Sequence, residues 1–369
     1  MTTGRAAVYP LGPRAPLEIR EFPVPDPEPG AVVVRVTTAN VCGSDLHFWR
    51  GDIDLARLGL TGGTVLGHEM TGRVVRAART TDSSGKPLAE GDRVVYRYFF
   101  PCGHCGACLR GYSAACGANA GFQMRSSDAA PHFIGGFADY YYVPPGQAIF
   151  KVPEQVPDQL VAGANCALAQ VIQGLDRVGL RMGESVVIQG AGGLGIYATA
   201  VAKSMGAANV IVIDGVAERL SLAREFGADA TIDISEFADA RRRSKLVREM
   251  NGGAGADVAV EVVGFPDAFG EGIALLGQGG RYLEIGNISP GMTLTFDPAL
   301  LTLANKTVYG VAFYEPLALQ KAVGFLAETV DRLPYGKLAG TSYSLDQINE
   351  AFADADARRV ARASIDPTL

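Results

Sequence analysis

Four cysteines lie within fifteen residues of the chain, in the stretch PCGHCGACLRGYSAACG at residues 101–117. They are Cys102, Cys105, Cys108 and Cys116, so two Cys-x₂-Cys spacings are followed by a longer gap. Each Cys-x₂-Cys turn directs two sulfur atoms at one ion, which is the arrangement of a tetrahedral thiolate site. A thioredoxin-like redox pair is the alternative, although it needs two cysteines rather than four. We expect a closed structural zinc site that stabilises a lobe and performs no catalysis.

A disulfide framework is a further interpretation of these cysteines, and it depends on the redox compartment. The chain has 369 residues and six cysteines, whereas disulfide-stabilised secreted domains are shorter and richer in cysteine. The first residues show no secretion signal, and no apolar stretch reaches the roughly 18–20 residues of a membrane span. We therefore expect a cytoplasmic protein without a membrane partner, whose thiols stay reduced.

The charge of the chain argues against one class of partner. A formal net charge of −6 gives no electrostatic reason to expect binding to nucleic acid or to an anionic membrane. One basic run, Arg241, Arg242, Arg243 and Lys245, lies beside acidic residues at helical spacing. This pattern predicts a solvent-exposed helix face.

Residues that can bind a metal ion or move a proton also occur outside the cysteine cluster. They stand at three places: Cys42, Ser44, Asp45 and His47; His68 and Glu69; and Cys166. Two thiolates and an imidazole would bind zinc and leave a fourth position open. Taken singly, each residue has an ordinary interpretation, because a buried cysteine packs like a small apolar side chain and a histidine can be a hydrogen-bonded core residue.

A glycine-rich motif, GAGGLG, follows a predicted strand and begins a predicted helix. Its residues are Gly190, Ala191, Gly192, Gly193, Leu194 and Gly195. Glycines there allow the backbone to approach a pyrophosphate at the helix N-terminus, although they could also serve helix–strand packing alone. Asp214 ends the next predicted strand, where a carboxylate can bind both ribose hydroxyls and repel a 2′-phosphate. We expect NAD as the cofactor. NADP stays an alternative because Arg219 lies close to Asp214 in the sequence.

The pattern of apolar residues changes along the chain. Residues 1–150 form short β-branched and aromatic runs separated by glycine, proline and aspartate, which predicts a β-rich domain. After about residue 165, strands alternate with helices, which predicts βαβ units and a parallel sheet covered on both faces. The C-terminal stretch could either extend this sheet domain or return to the first domain.

Five motifs, in order along the chain, resemble those of the zinc-dependent medium-chain alcohol and polyol dehydrogenases. They are CGSDLHFWRGD, GHEMTG, the four-cysteine lobe, GAGGLG and the strand-end Asp214. The resemblance implies an α/β fold in which a GroES-like β-rich catalytic domain, residues 1–160, is completed by the C-terminal tail 313–369. It also implies that residues 161–312 form a Rossmann domain, a doubly wound parallel sheet that binds the dinucleotide.

The resemblance further implies roles for individual residues. Cys42, His68 and Cys166 match the catalytic zinc ligands, and Glu69 matches a carboxylate that is a direct ligand in some members only. Polyol dehydrogenases carry a glutamate at the position of Cys166, so this ligand set is nearer that of the alcohol dehydrogenases. The remaining matches are Ser44 and His47 to a proton relay, Asp45 to the residue that orients the histidine ligand, Arg362 to a pyrophosphate contact, and the four clustered cysteines to the structural zinc lobe.

The implied function is an NAD-dependent, zinc-containing oxidoreductase with two zinc ions per chain. It would transfer hydride between a primary or secondary alcohol and NAD, with the proton passing from Ser44 through the nicotinamide ribose to His47. The alternatives are a polyol, sugar or hydroxyacyl-thioester dehydrogenase of the same family, a zinc-free reductase, and a non-catalytic nucleotide-binding relative. The expected partners are a small alcohol or carbonyl substrate and further copies of the chain, in a dimer or tetramer.

Overall fold

The chain forms two compact units in the computed structural model, which describes residues 2–121, 124–288 and 291–369. One unit comprises Met1–Cys166 and Glu315–Leu369, and the other comprises Ala167–Tyr314. The sequence analysis places these boundaries a few residues earlier, at 160/161 and 312/313. Residues 1, 122–123 and 289–290 fall within the expected domains but lie outside the described residues.

The first part of the chain consists mainly of short strands. They are β1 (Thr3–Tyr9), β2 (Glu18–Pro23), β3 (Val32–Asn40), β4 (Thr64–Val65), β5 (Glu69–Ala77), β6 (Arg93–Tyr96), β7 (Tyr140–Val143) and β8 (Ile149–Lys151). The helices here are short: α1 (Gly43–Arg50), α2 (Gly106–Leu109) and α3 (Asp158–Val161). The valine-rich β3 is buried along most of its length, and it pairs with β5 and β7 on its two sides. It therefore forms the centre of the β-rich unit.

The pairing of β3 with β5 places two motifs at one edge of the sheet. The strands are antiparallel, and Asn40 at the end of β3 lies opposite Glu69 at the start of β5. Cys42 follows β3 by two residues, and His68 immediately precedes β5. Two motifs that are more than twenty residues apart in the chain are thereby brought together.

The second unit has the alternating strands and helices expected from the sequence. Its strands are β9 (Ser185–Gln189), β10 (Asn209–Asp214), β11 (Ala230–Asp233), β12 (Ala256–Glu261), β13 (Leu276–Glu284) and β14 (Thr307–Gly310). Its helices are α4 (Ala169–Val178), α5 (Gly193–Ser204), α6 (Ala217–Glu225), α7 (Ala240–Met250), α8 (Asp267–Leu275) and α9 (Ala299–Thr302). All pairs are parallel, in the order β11-β10-β9-β12-β13-β14. This order confirms the predicted doubly wound Rossmann sheet.

The C-terminal tail returns to the first unit. It contains α10 (Pro316–Thr329), β15 (Thr341–Tyr343), α11 (Ile348–Asp356) and β16 (Ala363–Ile365). Ser364 of β16 pairs with Asn40 of β3, so the tail extends the sheet of the β-rich unit. Arg362, one residue before β16, is brought to the same sheet edge as Cys42 and His68.

The basic run is helical, as predicted, but only part of it faces solvent. Arg241 and Arg242 in the first turn of α7 are exposed, whereas Arg243 is buried. Nε and Nη2 of Arg243 donate to the two carboxylate oxygens of Glu271 on α8, at 2.5 and 2.8 Å. The prediction of a solvent-exposed face is therefore wrong for Arg243, because a complementary carboxylate on the neighbouring helix allows its charge to be buried.

The described helices are all modest in length, and the longest, α10, has 14 residues. None of the helices in the described part of the chain is long and apolar enough to cross a membrane.

Candidate functional site

Three potential metal ligands from separate parts of the first unit meet at one point. A ligand atom from each of Cys42, His68 and Cys166 lies within 4.8 Å of the other two. Cys42 is the N-cap of α1, His68 precedes β5, and Cys166 lies in the π-helical turn Ala164–Leu168. Two thiolates and an imidazole at this separation fit a zinc ion with one position left open for a substrate or water.

The three side chains shift one another's protonation. The hydrogen bond from Cys166 and the charge of His68 lower the pKa of the Cys42 thiol well below its usual range, although burial opposes them. The hydrogen bond with Cys42, together with burial, raises the pKa of the Cys166 thiol. Burial lowers the pKa of His68, but the charges of Asp45 and Cys42 outweigh it and hold that pKa well above its ordinary value. A thiolate is the form of cysteine that binds a metal ion.

Asp45 connects the residues that carry two of these ligands. It is fully buried, and its carboxylate accepts hydrogen bonds from the backbone N–H of Cys42 at 2.9 Å and of Gly67 at 3.1 Å. Its Oδ1 also lies 3.3 Å from Nδ1 of His68. A carboxylate in this place fixes the orientation of the imidazole ring and leaves Nε2 available as a ligand.

Ser44 is at the site itself, next to both kinds of ligand. Its hydroxyl oxygen lies 3.3 Å from Nε2 of His68 and 3.5 Å from Sγ of Cys42. Ser44 stands in the first turn of α1, two residues after Cys42. A hydroxyl there can exchange a proton with a molecule at the open ligand position.

His47 lies one turn further along α1 and is partly exposed. Its Nδ1 lies 2.8 Å from Oδ2 of Asp52, and about a third of its side chain is accessible to solvent. The sequence analysis assigned no role to Asp52, the last residue of the motif CGSDLHFWRGD, which follows the helix C-cap Gly51. Its position five residues after His47 is the signal that could have found it.

The carboxylate of Glu69 is not among the ligand atoms that cluster at the candidate metal position, which belong to Cys42, His68 and Cys166. Its carboxylate oxygen Oε2 is 3.2 Å from Nη1 of Arg362 and 3.3 Å from the side-chain amide of Asn40. Burial raises the pKa of Glu69 to about 7, although the charge of Arg362 opposes this shift. The structure therefore brings together the three residues expected as zinc ligands. Glu69, for which the resemblance left direct ligation open, pairs with Arg362, the residue expected at the cofactor pyrophosphate.

The cysteine lobe forms the second cluster of potential ligands. One sulfur atom from each of Cys102, Cys105, Cys108 and Cys116 lies within 4.8 Å of all the others. Three sulfur–sulfur distances in this cluster are 3.6 Å (Cys105–Cys108), 3.7 Å (Cys102–Cys116) and 3.8 Å (Cys105–Cys116). A disulfide bond requires about 2.05 Å, whereas the edge of a tetrahedron with Zn–S arms of about 2.3 Å measures about 3.8 Å. The spacing fits a four-thiolate ion site.

A carboxylate from the C-terminal tail holds this lobe in place. Glu315, the N-cap of α10, accepts hydrogen bonds from the hydroxyl of Ser113 at 2.5 Å and from the backbone N–H of Ala114 at 2.7 Å. Both donors precede Cys116 by a few residues. The sequence analysis missed Glu315, because its partner segment lies about two hundred residues away in the chain.

The glycine-rich loop of the second unit connects β9 to α5. Gly190 has a φ of +105°, a left-handed conformation that strongly favours glycine. A Cβ atom on Gly195 would lie 1.9 Å from the carbonyl oxygen of Gly190, so no larger residue fits there. Gly192 is the N-cap of α5, which begins with Gly193 and Leu194. The loop therefore presents a helix N-terminus at the carboxyl edge of the sheet, the usual place for a pyrophosphate.

Asp214 ends β10, beside this loop. Its two carboxylate oxygens accept hydrogen bonds from the backbone N–H groups of Ala191, at 2.7 Å, and Val216, at 2.9 Å. Each oxygen can accept a further bond, so the carboxylate is fixed and still able to bind a ribose. Arg219 lies in α6 and is exposed.

A cavity of about 620 Å³ opens at the same edge of the sheet. Its walls include Gly190, Ile213, Ile234 and Phe265, and Arg241 lies at its side. Its volume is in the range of small-molecule binding sites. The sequence analysis did not identify this cavity, because its walls come from the ends of several strands and from the helices α7 and α8.

The comparisons with known proteins agree with this arrangement. Residues 28–154 match the family described as alcohol dehydrogenase GroES-like domain, and residues 193–328 match the family described as zinc-binding dehydrogenase. The 5-exo-hydroxycamphor dehydrogenase of Pseudomonas putida is 33% identical over 356 residues, which cover 96% of each chain.

Solved structures resemble the chain over nearly its whole length. An alcohol dehydrogenase from Thermotoga maritima has a TM-score of 0.91 and 30% identity, and the match covers 99% of this chain and 100% of that one. A zinc-binding dehydrogenase from Sinorhizobium meliloti, solved with NADP bound, has a TM-score of 0.82 and 26% identity, with full coverage of both chains. The chain belongs to the zinc-dependent medium-chain dehydrogenase/reductase family, and it has that family's fold, a GroES-like β-rich domain together with a Rossmann domain.

Proposed function

We propose that the protein is a zinc-containing, NAD-dependent alcohol dehydrogenase that interconverts an alcohol with the corresponding aldehyde or ketone. The observation that carries this proposal is the convergence of Cys42, His68 and Cys166, with the Ser44 hydroxyl beside them. A zinc-free reductase or a non-catalytic relative has no need of two thiols, an imidazole and a proton acceptor at one point. The convergence of these side chains therefore supports a catalytic role for the β-rich unit.

The donor sets support two zinc ions per chain. Cys42, His68 and Cys166 would hold the first and leave one position open, whereas the four clustered cysteines would enclose the second completely. A zinc ion with an open position acts as a Lewis acid that lowers the pKa of an alcohol hydroxyl. A closed four-thiolate site has no such position, so we assign it to the stability of the lobe.

The residues around the open position have separate tasks. Asp45 holds the imidazole of His68 in the orientation that presents Nε2 to the metal position. The hydroxyl of Ser44 would accept the proton released by the alcohol while it passes its own proton on toward His47 and solvent. His47, paired with Asp52 and partly exposed, exchanges a proton with solvent. Arg362 donates to the carboxylate of Glu69, one residue after the ligand His68, and its charge favours the ionised form of that carboxylate.

The second unit would bind the hydride acceptor, NAD, whose nicotinamide ring would supply the redox chemistry. The fixed carboxylate of Asp214 favours NAD over NADP as the cofactor, because it can bind the adenosine ribose and would repel a 2′-phosphate. The glycine-rich loop would bind the pyrophosphate, and the cavity beside Phe265 would take the adenine ring. A cytoplasmic location and a homo-oligomeric state remain predictions from the sequence.

The function is tested with purified protein, NAD and a panel of alcohols, in which the formation of reduced nicotinamide is followed by its absorbance. The panel includes primary and secondary alcohols, polyols, hydroxyacyl thioesters and 5-exo-hydroxycamphor, the alcohol in the name of the Pseudomonas relative. We expect turnover of a primary or secondary alcohol, which is lost on prolonged chelation and restored by zinc. Turnover that persists after complete removal of metal would contradict the proposal.

A further inference from the structure

A buried carboxylate holds two loops of the second unit together. Glu261, the last residue of β12, is fully buried. Its Oε1 accepts hydrogen bonds from the backbone N–H groups of Val263 and Gly264, at 2.5 and 2.6 Å. Its Oε2 accepts one from the backbone N–H of Gly286, at 3.0 Å. The side chain thus connects the loop after β12 to the loop after β13.

A second carboxylate stands beside it, at the end of β13. Glu284 is the register partner of Glu261 in the parallel pairing of β12 and β13. The side-chain amide of Asn287 lies 3.0 Å from Oε1 of Glu284 and 3.4 Å from Oε2 of Glu261. The backbone N–H of Asn287 also donates to Oε1 of Glu284 at 3.2 Å. We call Glu261 and Glu284 the glutamate pair.

The glutamate pair holds a proton at neutral pH. Burial and the hydrogen bond with Glu284 raise the pKa of Glu261 to about 8. A proton on Glu261 removes the repulsion that two ionised carboxylates in contact would exert on each other. Burial and the charges of Glu284, Glu261 and Glu271 raise the pKa of Tyr282 on β13, whose hydroxyl donates to Gln189. Glu271 of α8 is itself paired with Arg243.

The two loops lie on one side of the glycine-rich loop. In the sheet, β9 stands between β10 and β12, and the chain order reverses between β9 and β12. Dinucleotides bind across such a switch point with the pyrophosphate at its centre. Asp214 marks the adenosine side, on β10, so the other half of a dinucleotide lies over the ends of β12 and β13. The loop after β12 touches the glycine-rich loop, since a Cβ atom on Gly190 would lie 2.9 Å from Val263.

We propose that Glu261 is a positioning residue for the nicotinamide half of the dinucleotide, because the glutamate pair fixes the loops 262–264 and 285–287 on which that half rests. This inference rests on the proposed function, since it requires NAD at this site. Glu261 contacts loop backbone rather than the ligand. It therefore acts through the shape of the two loops.

The first experiment measures the binding of NAD and of AMP to the purified, metal-loaded protein by calorimetry. AMP occupies the adenosine side and does not reach the loop 285–287, although Val263 and Phe265 of the loop after β12 line the cavity assigned to adenine, so its binding should depend on Glu261 less than that of NAD. In Glu261→Ala, the lost hydrogen bonds should weaken NAD binding about tenfold, while AMP binding stays within about twofold of wild type. The control is Asp257→Asn. Asp257 lies near the other end of β12, where its carboxylate accepts hydrogen bonds from the backbone N–H and the hydroxyl of Ser185. This substitution should change the binding of neither ligand.

The second experiment keeps the inference testable if Glu261→Ala does not fold. Glutamine cannot ionise, and it keeps one acceptor oxygen for the N–H groups of Val263 and Gly264. Its amide nitrogen cannot accept the N–H of Gly286, so the comparison uses the pH profile and not the affinity at a single pH. Wild-type NAD affinity should fall as the pH is raised through about 8, where the pair loses its proton. In Glu261→Gln this fall should be absent, and AMP affinity should follow the same pH profile in both proteins.

Two outcomes would overturn the inference. One is a parallel loss of NAD and AMP binding in Glu261→Ala, which indicates general damage to the domain. The other is a pH profile for NAD that is the same in Glu261→Gln and wild type. Failure of the wild-type protein to bind either ligand would instead overturn the proposed function, and this inference with it.

Discussion

The carboxylate of Asp45 lies 3.3 Å from Nδ1 of His68, and both side chains are buried almost completely. The same carboxylate also bonds the backbone of Cys42 and of Gly67. One residue therefore sets the ring orientation of one metal ligand and the backbone position of another. The arrangement explains how two short motifs on separate elements hold a defined geometry.

Replacing Asp45 with asparagine should disturb the metal site while leaving most of the packing intact. Asparagine has nearly the same size but lacks the negative charge that favours a correctly oriented His68. We expect a loss of about 10–100-fold in zinc affinity or turnover. Competition with a chromogenic chelator measures the affinity. Asp26→Asn is the control, because Asp26 is exposed and pairs with Arg76 at the surface. Equal zinc retention in both variants would show that Asp45 does not act on the ligands.

Cofactor preference should depend on the charge of Asp214. Replacing it with glycine removes a ribose contact and the repulsion of a 2′-phosphate. We expect weaker NAD binding and a gain in turnover with NADP, measured as kcat/KM for each cofactor. The exposed Arg219 stays in place and can then approach a phosphate. Equal use of NAD and NADP by the wild-type protein would show that Asp214 does not face the ribose.

Proton transfer should depend on Ser44 at every pH and on His47 only at lower pH. Ser44→Ala removes the proton acceptor at the site and should slow oxidation by roughly 10²–10⁴-fold. His47→Gln should slow oxidation below about pH 8 and have less effect above it, where hydroxide can accept the proton. The measurement is a pH–rate profile for each variant at saturating NAD. If the His47→Gln profile parallels that of wild type, the proton leaves by another route.

The free energy of unfolding should depend on pH in part through the ionisation of Glu261. The pKa of this group is about 8 in the folded chain against an ordinary 4.5, so the folded chain holds a proton that the unfolded chain releases. Raising the pH from about 4.5 to 8 therefore removes stability. Glu261→Gln lacks this titration, so its free energy of unfolding relative to wild type should rise across that window. Chemical denaturation at several pH values measures the difference. A constant difference would contradict the raised pKa.

The sequence predicted those features whose signals are local. The local sequence pattern was enough to predict the β9–α5–β10 unit, with glycines at the turn and Asp214 at the end of the second strand. The structure confirms the sheet that this unit forms. The four-cysteine spacing likewise determines a compact loop. The convergence of Cys42 with Cys166 was different, since nothing in the spacing of residues more than a hundred apart specifies contact, and only the resemblance to a family linked them.

The residues that the sequence analysis missed or misplaced have partners that are distant in the chain. Glu69 was expected as a possible ligand, but its carboxylate meets Arg362 because β16 pairs with β3. Arg243 was expected in solvent, but it is buried against Glu271 of the next helix. Glu261 ends an apolar strand, and a charged residue there was an available signal. In each case, tertiary pairing decides the role of a charged residue.

The two candidate metal sites should be separable by mutation. Cys105→Ser leaves a three-thiolate lobe, so the protein should lose a metal ion and thermal stability, because the binding of a structural metal supports folding. Cys42→Ser should lose the other metal ion and turnover while it keeps its fold. Circular dichroism and thermal unfolding distinguish these two outcomes.

The most direct test of the account is the zinc content of the purified protein, determined by elemental analysis together with turnover on the same samples. We predict two zinc ions per chain in fully active wild type, and one in Cys42→Ser, with turnover abolished and the fold retained. One zinc ion or none in fully active wild-type protein, or a Cys42→Ser variant that keeps most of its rate, would contradict the assignment of Cys42, His68 and Cys166 as the catalytic metal site.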